Sequence, residues 1–518
     1  MPRSRPARPD SAPPHAARSP APLPEPTRPE PGAEPARPEP GPAPARPGAA
    51  GPGPDVSPPA ASPPAAPPPA ASPSSAPSPG PSSGPRHAAA ARALAEEVLA
   101  RCADPAATAA DSRIPAASSS IGAEEPLWTP LSLACGHPGM AVVFSGCGRP
   151  REAHRYLAEA LAALRGRPDE LGGSFLGPGA AAFALLVAHR ATGGYRGALE
   201  RLDAHQRQVA RVALPPLTDA PLASNGAFEA VRGLAGLGRY LLARVESCEE
   251  ELRLVLGRLV ALSRGAVDHP GGNRVPRWWS MAAPKRGQEA EMPDGHLNFG
   301  LSHGVAGPLA LLSLAWREGV AVEGQREAIE SLMALLRRWA HAEENDESGA
   351  VRWPHAVTLG QWAAGPARMR PHLRPSWCYG VPGMSRAVQL AALALGRPDW
   401  HELAHRSLLP LLTTPVAAWH CDDPGLCHGW GGLLHLFLRL GEHVADPRLP
   451  AVREELAART LAQFDPAYRF GFRSTLTATP QGSDMPGFLQ GAGGTALALR
   501  AYADGTTCGD WDMPLLLS

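Results

Sequence analysis

Three short segments of the sequence carry side chains that could bind a metal ion and transfer protons. They read Trp377-Cys378-Tyr379-Gly380, Leu426-Cys427-His428-Gly429 and Ser302-His303-Gly304. Two thiolates and one imidazole suit zinc, and three protein ligands leave a fourth coordination position open, as a catalytic site requires. Cys378, Cys427 and His428 are therefore candidate metal ligands. His303 is a candidate for proton transfer, because imidazole titrates near neutral pH.

The spacing of these residues leaves simpler interpretations open. The two cysteines lie far apart without a short Cys-x-x-Cys motif, and a lone cysteine is more often a small buried apolar residue. His303 could satisfy a backbone carbonyl at a helix start. The candidate residues can act together only if the fold brings their segments to one place.

The three segments belong to a series of glycine-rich turns that recurs seven times. In each copy a Gly-x-x-Gly element is followed at once by an apolar stretch that is compatible with a helix. The first glycines lie 41 to 76 residues apart, which leaves room for the helix opened by the turn and one returning helix. We align the second copy with alanine in place of its last glycine. The copies are Gly136–Gly139, Gly177–Ala180, Gly233–Gly236, Gly304–Gly307, Gly380–Gly383, Gly429–Gly432 and Gly491–Gly494.

The segments between the turns predict an all-α fold. Leu, Ala and Val recur at three- and four-residue spacings, and the alternation typical of β-strands is nearly absent. Seven helix pairs cannot bury their apolar faces individually, but they can if they stack side by side. A closed stack is an α/α toroid, a double ring of about seven inner and seven outer helices, in which equivalent turns meet at one end. The alternative is that Gly-x-x-Gly recurs by chance in a chain with 54 glycines.

The first 85 residues differ from the rest of the chain. They hold 31 of the 62 prolines and no Phe, Trp or Tyr. Such a segment cannot bury enough apolar area to offset the entropy cost of ordering it. We therefore predict a disordered, partly polyproline-II tail over residues 1–85 and one toroid domain over residues 86–518.

Charge and hydropathy exclude several functional classes. The formal net charge is zero, which removes the electrostatic argument for a nucleic-acid partner. No apolar run reaches the ~18–20 residues of a membrane helix, and the first residues lack the apolar core of a signal peptide. We expect a cytoplasmic protein, in which eight cysteines are too sparse for a disulfide scaffold.

The motifs Asn298-Phe-Gly-Leu-Ser-His303-Gly, Trp377-Cys378-Tyr379-Gly and Cys427-His428-Gly resemble the lanthionine synthetase C (lanthipeptide cyclase) family. The resemblance covers the chain from about residue 120 to 505, with all seven turns. It implies a double α-toroid with a zinc ion at one mouth, bound by Cys378, Cys427 and His428. The implied reaction adds a cysteine thiol to a dehydroalanine or dehydrobutyrine of the same peptide, giving lanthionine or methyllanthionine.

The resemblance also implies catalytic roles for three residues, and Tyr379, beside a metal ligand, is a fourth candidate. His303 matches the motif histidine, placed to protonate an enolate or to accept the thiol proton. Arg374 matches an arginine that faces the site and could stabilise enolate charge, although a solvated arginine fits this Pro-rich loop equally well. Tyr379 could support the site by hydrogen bonding, or could be a buried ring. Glu229 stands where the family commonly has aspartate, so it could orient His303 or a water molecule, or be a solvated helix residue.

A dehydrated precursor peptide is the implied partner. Nothing in the chain resembles a kinase or a dehydratase, so a separate dehydratase is expected. The resemblance also allows association with a membrane transporter complex. Three other functions are compatible with a zinc site of this kind. The first is an enzyme that adds glutathione to dehydrated residues in proteins, and the second is a non-catalytic, zinc-stabilised scaffold that binds peptides. The third is a protein prenyltransferase subunit, but its zinc ligands usually include an aspartate, for which we find no matching pattern.

Overall fold

The computed structural model describes residues 84–116, 124–165, 173–212, 225–283, 289–342, 349–366, 374–475 and 481–518. All of these residues belong to one compact unit of the chain. The predicted disordered tail, residues 1–85, lies outside the described residues except for its last two positions. The boundary after residue 85 therefore stays a prediction.

The described residues are mostly helical, and helices and strands alternate unevenly along the chain. The helices are α1 Ala88–Arg101, α2 Pro105–Asp111, α3 His137–Gly146, α4 Pro150–Leu164, α5 Gly177–Thr192, α6 Arg196–Val212, α7 Asn225–Phe228, α8 Leu234–Leu242, α9 Val245–Leu262, α10 Ala306–Arg317, α11 Gln325–Arg338, α12 Leu359–Ala364, α13 Val381–Leu395, α14 Pro398–Thr413, α15 Trp430–Gly441, α16 Leu449–Ala462 and α17 Ala492–Asp504. The strands are β1 Arg113–Ile114, β2 Glu125–Pro126, β3 Ala266–Asp268, β4 Arg274–Pro276, β5 Trp279–Ser280, β6 His296–Asn298, β7 His341–Ala342, β8 Val351–Arg352 and β9 Ala356–Thr358.

The helices that follow the seven glycine turns form a closed inner ring. In chain order, α3, α5, α8, α10, α13, α15 and α17 each pack against the next, and α17 packs against α3. These helices are apolar on nearly every side, as expected of helices surrounded by protein. Every residue of α8, for example, is buried.

An outer layer of helices surrounds this ring. Helices α4, α6, α9, α11, α14 and α16 each return along the inner helix that precedes them. They are amphipathic: α4 buries only Ala153, Tyr156, Leu157 and Ala160, at the three- and four-residue spacing of one helix face. The seventh outer position is filled by α1, which packs against α17 and closes the layer. The predicted α/α toroid is thus confirmed. Its seventh helix pair differs from the others, because the outer helix, α1, comes from the start of the domain and does not follow the inner helix, α17, in sequence.

The last glycine of most turns is required by a backbone contact, which is looser in the fourth turn, where a Cβ atom at Gly307 would lie 2.9 Å from the Leu301 carbonyl oxygen. A Cβ atom at Gly139, Gly236, Gly383, Gly432 or Gly494 would lie 1.9–2.2 Å from the carbonyl oxygen six residues earlier, where no side chain fits. The same contact in the second turn is made by Gly179 with the carbonyl of Gly173. Our alignment of that turn was therefore wrong by one residue: Gly179, not Ala180, is its last position, and Leu176 replaces its first glycine.

Successive turns are joined by backbone hydrogen bonds that form a closed circle in the described part of the chain. Each turn donates an N–H group to a carbonyl oxygen of the next, with N–O distances of 2.9–3.4 Å. The donor and acceptor pairs are Leu133 to Phe175, Phe175 to Val231, Ala230 to Ser302, Ser302 to Cys378, Cys378 to Cys427, Cys427 to Leu489, and Leu489 to Ala134. Residues at equivalent positions of neighbouring turns are therefore held side by side.

Short strands occupy the long connections that flank α10 and α11. Among the described residues none of the strands exceeds three residues, and β5, β6 and β9 form an antiparallel sheet in that order. Two or three residues are too few to show an alternating pattern, which is why the sequence did not reveal them. Strand β6 matters for the site, because it ends at Asn298 and leads directly into the fourth turn.

The interior of the ring is filled by the segment that follows α17. Trp511, Asp512, Met513 and Leu515–Leu517 are between 0 and 2 % exposed. The Trp377 indole donates a hydrogen bond to the Leu515 carbonyl, and the Arg386 guanidinium donates to the Leu517 carbonyl. The segment therefore packs as part of the core. No helix in the described ranges is long and apolar enough to cross a membrane.

Truncation of Leu99 tests whether α1 completes the outer layer. Leu99 is fully buried on the inner face of α1, so Leu99→Ala should lower the free energy of unfolding by about 2–5 kcal/mol. Exposed Glu97, which makes only an i,i+4 ion pair with Arg101, provides the control, and Glu97→Ala should cost about 0.5 kcal/mol or less. Urea unfolding measures both. Equal effects of the two substitutions would show that α1 does not contribute to the core.

Candidate metal centre and active site

Two cysteines and one histidine converge at the fifth and sixth turns. The Sγ atoms of Cys378 and Cys427 and a ring nitrogen of His428 all lie within 4.8 Å of one another. The distance from Cys378 Sγ to His428 Nδ1 is 3.9 Å. Within the described ranges this is the one group of three such side chains close enough to share a metal ion.

Backbone contacts between the two turns hold the ligands in place. The N–H groups of Trp377 and Cys378 both donate to the carbonyl oxygen of Cys427, at 3.2 Å. Ser376 supports the fifth turn from within, because its hydroxyl accepts a hydrogen bond from the Tyr379 N–H at 2.9 Å and lies 3.5 Å from Cys378 Sγ. The two thiols are thus positioned by the circle of inter-turn hydrogen bonds.

The pKa of Cys378 distinguishes this thiol from that of Cys421. A hydrogen bond from Cys427 holds the pKa of Cys378 well below its usual value, and His428 lowers it further despite burial. Burial raises the pKa of the nearby Cys421 to about 12. Thiolates are the form that binds metals, so the Cys378–Cys427–His428 set fits a zinc ion and leaves room for a fourth ligand.

A hydrogen-bonded carboxylate and imidazole lie in the third and fourth turns. Glu229 is 2 % exposed, and its Oε2 lies 2.5 Å from Nδ1 of His303. The other carboxylate oxygen accepts hydrogen bonds from the backbone N–H groups of Arg232 and Gly233. His303 itself is partly exposed. Because Nδ1 faces the carboxylate, Nε2 is the nitrogen that a substrate can reach. The longer side chain of Glu229 thus reaches His303, which distinguishes it from a solvated helix residue.

Tyr379 lies beside both groups. Its ring centre is 6.2 Å from that of His303, and its hydroxyl accepts a hydrogen bond from Asn298 Nδ2 at 3.1 Å. Burial raises the pKa of Tyr379 to about 12. Gly300 makes space for the ring, since a Cβ atom there would lie 2.7 Å from Tyr379 Cδ1.

Two residues near this ring were not predicted to have a role. Asn298 was noted only as part of a motif, and His355, whose ring centre lies 5.3 Å from that of Tyr379, was not noted at all. The signal that could have indicated a role for Asn298 is its position in the same motif as His303, five residues earlier. His355 lies in a loop whose approach to the turns depends on the β6–β9 pairing, which no sequence pattern indicates.

Arg374 lies in the loop that precedes the fifth turn. Its Nη2 atom is 3.2 Å from Asp422 Oδ1, in the loop that leads to the sixth turn. Cys421 and His435, which also neighbour the Cys427-His428 motif in sequence, are engaged elsewhere. The Cys421 thiol donates to backbone carbonyls, and His435 is hydrogen-bonded to the buried Asp512.

Comparison with known proteins identifies the family. The family model for lanthionine synthetase C-like proteins matches residues 127–516. The chain belongs to the lanthionine synthetase C-like family. The match includes all seven turns, whereas α1, which completes the outer layer, precedes it.

Two known proteins are similar to this chain, one in sequence and one in structure. The nisin biosynthesis protein NisC of Lactococcus lactis subsp. lactis is 22% identical over 293 residues, which span 56% of this chain and 64% of NisC. The solved structure of a nisin cyclase superposes with a TM-score of 0.63 at 19% identity, covering 75% of this chain and 92% of that one. The structural likeness supports the toroid fold.

The thiolate character of Cys378 can be measured in metal-free protein. Because its pKa is lowered, Cys378 should ionise at a lower pH than an ordinary thiol, whose pKa is about 8.5. As the pH is raised, the difference in ultraviolet thiolate absorbance between wild type and Cys378→Ser should therefore appear at a lower pH than for an ordinary thiol. The matched Cys421→Ser difference should appear only at a higher pH, because the pKa of Cys421 is raised to about 12. Absence of the Cys378 signal would contradict the assignment.

Proposed function

We propose that this family member is a zinc-dependent lanthipeptide cyclase, which adds cysteine thiols of a precursor peptide to its dehydroalanine or dehydrobutyrine residues. The observation that carries the proposal is the Cys378–Cys427–His428 group, assembled next to the His303–Glu229 pair. Such a site combines ligands for a thiol-binding metal with a group that can transfer protons. Both are needed to form a thioether and to protonate the resulting enolate.

Cys378, Cys427 and His428 would bind the zinc ion. Their chemistry fits it, because two sulfur donors and one imidazole are typical of catalytic zinc sites that leave one position open. Bound there, zinc would lower the pKa of an incoming cysteine thiol, so that it reacts as a thiolate near neutral pH. The turns would hold the ligands in a fixed arrangement through their backbone contacts.

The residues of the chain then complete the addition. A carbon–sulfur bond forms at the alkene β-carbon, and the electrons of the double bond move towards the adjacent carbonyl oxygen, giving an enolate. His303 delivers a proton from Nε2 to the α-carbon, which replaces the proton that the thiol lost. Glu229 keeps the imidazole oriented through Nδ1, so that Nε2 faces the substrate.

Tyr379 and Arg374 are proposed to act on the enolate. Tyr379 directly follows the ligand Cys378, its ring centre lies 6.2 Å from that of His303, and its raised pKa keeps the hydroxyl protonated near neutral pH. Arg374 forms a salt bridge with Asp422 in the adjoining loop. From this position its guanidinium would approach the substrate carbonyl. Both would lower the energy of the charge that develops on oxygen.

The proposal implies particular partners and a cellular location. The substrate would be a precursor peptide already dehydrated by a separate enzyme, and the reaction would take place in the cytoplasm. Association with a membrane transporter complex would allow the modified peptide to be exported. Residues 1–85 are proposed to form a tail outside the catalytic domain.

Zinc analysis tests the ligand assignment. Purified wild-type protein should contain one zinc ion per chain by elemental analysis, and Cys427→Ala should lose it because one of three protein ligands is removed. Cys421→Ala is the matched control, since this thiol is six residues away but outside the group, and it should retain full zinc content. Full retention in Cys427→Ala, or loss in Cys421→Ala, would show that the ligands are different.

A cyclisation assay tests the activity and the role of His303. Wild-type protein should consume the free thiol of a dehydrated, cysteine-containing peptide, as counted by alkylation and mass spectrometry. His303→Asn should keep its zinc and slow ring closure by about 100-fold or more, because a general acid contributes about that factor. His154→Asn, an exposed histidine on outer helix α4, should react like wild type.

Three outcomes of that assay would contradict the proposal. Alkylation equal to that of a no-enzyme control would exclude cyclisation and leave a peptide-binding scaffold. Addition of glutathione in preference to the internal cysteine would indicate the alternative thiol transferase. A wild-type rate in His303→Asn would remove this residue from the mechanism.

A further inference from the structure

The hydroxyl of Tyr379 has a partner whose orientation the structure determines. Asn298 is completely buried at the end of β6, and two hydrogen bonds of its side chain determine which way the amide faces. Its Oδ1 accepts from the Gly300 N–H at 2.9 Å, and its Nδ2 donates to the Tyr379 hydroxyl at 3.1 Å. Asn298 therefore connects the loop before His303 to the turn that carries Cys378.

The Asn298 amide cannot be reversed without losing these bonds. A backbone N–H is only a donor, so the atom that faces Gly300 must be the amide oxygen. The amide nitrogen must then face Tyr379. Its second hydrogen points to Nε2 of His296, 3.5 Å away, and burial lowers the pKa of His296 to about 4, so this imidazole is neutral and can accept.

The direction of the Tyr379 hydrogen bond follows from this orientation. Because Asn298 donates, the phenol oxygen accepts, and the phenol hydrogen is not used by Asn298. Tyr379 directly follows the candidate metal ligand Cys378, its ring centre lies 6.2 Å from that of His303, and the ring is only partly buried. The free hydrogen is thus held at the side of the proposed reaction centre.

We infer that Asn298 is a positioning residue, which keeps the hydroxyl hydrogen of Tyr379 directed at the substrate carbonyl oxygen. This inference rests on the proposed function, because the carbonyl oxygen is where enolate charge develops during thiol addition. A fixed donor aimed at that oxygen stabilises the transition state more than the ground state. An acceptor at position 298 would draw the same hydrogen away from the substrate.

A double-mutant cycle distinguishes this role from a structural one. The substitutions are Asn298→Asp, which retains an acceptor for Gly300 but turns the donor facing Tyr379 into an acceptor, and Tyr379→Phe, which removes the hydroxyl. The probe is a synthetic peptide with one dehydroalanine and one cysteine. Each single variant should lower kcat about 10- to 100-fold with little change in KM, and the double variant should be no slower than the slower single variant.

Losses that multiply in the double variant would overturn the inference, because Asn298 would then act independently of the Tyr379 hydroxyl. A wild-type kcat in Asn298→Asp would also overturn it. Ser313→Ala is the control: Ser313 is a fully buried, hydrogen-bonded residue on α10, and removal of its hydroxyl should leave kcat unchanged. Zinc content should be the same in all variants.

Asn298→Ala provides a second route if the buried carboxylate prevents folding. This variant leaves the Tyr379 hydroxyl free to rotate, so kcat should fall less than in Tyr379→Phe. In the Tyr379→Phe background the alanine substitution should have no further effect on kcat. A further loss there would overturn the inference.

Raman spectroscopy tests the hydrogen bond without any substrate. The Fermi doublet of tyrosine reports whether its hydroxyl accepts or donates, and the wild-type minus Tyr379→Phe difference isolates Tyr379. It should show an acceptor, and the same difference in the Asn298→Asp background should show a donor. A donor doublet in wild type overturns the inference whatever the activity. An acceptor doublet in a wild-type protein that fails to cyclise the peptide would instead overturn the proposed function, and with it the role of Tyr379 in the reaction.

Discussion

A closed circle of backbone hydrogen bonds between seven turns is the interaction on which the site depends. Each turn donates an N–H group to the next and accepts one from the turn before it. The last position of the turns carries glycine, because a Cβ atom there would clash with the carbonyl oxygen six residues earlier in the same segment. The inner and outer helices bury the apolar surface, but the circle fixes which residues of distant segments become neighbours.

The candidate chemistry occupies four consecutive turns of this circle. Glu229 comes from the third turn, His303 from the fourth, Cys378 and Tyr379 from the fifth, and Cys427 and His428 from the sixth. Neighbouring turns share backbone hydrogen bonds, so the distances between these groups depend little on side-chain flexibility. The small sheet adds a further constraint, since β6 delivers Asn298 to the side of the Tyr379 ring.

Helical periodicity and the repeated turns predicted the toroid, because both signals are local and recur seven times. The convergence of Cys378, Cys427, His428 and His303 followed from their equivalent positions in the repeat. The single-residue error in the second turn arose because Gly177 and Gly179 both fit the pattern, and only the contact with Gly173 distinguishes them. The role of α1 and the filling of the ring by Trp511–Leu517 could not be predicted, since both depend on contacts between segments far apart in sequence. The same holds for the Asn298–Tyr379 bond.

In the proposed enzyme, two cysteines and one histidine from neighbouring turns of the circle bind one zinc ion. Zinc K-edge X-ray absorption on the purified protein can measure this set of ligands, because the fine structure counts sulfur and nitrogen or oxygen neighbours separately. We predict two sulfur ligands at about 2.3 Å and two lighter ligands at about 2.0–2.1 Å. A zinc ion with no sulfur ligands, or with three or four, would contradict this prediction.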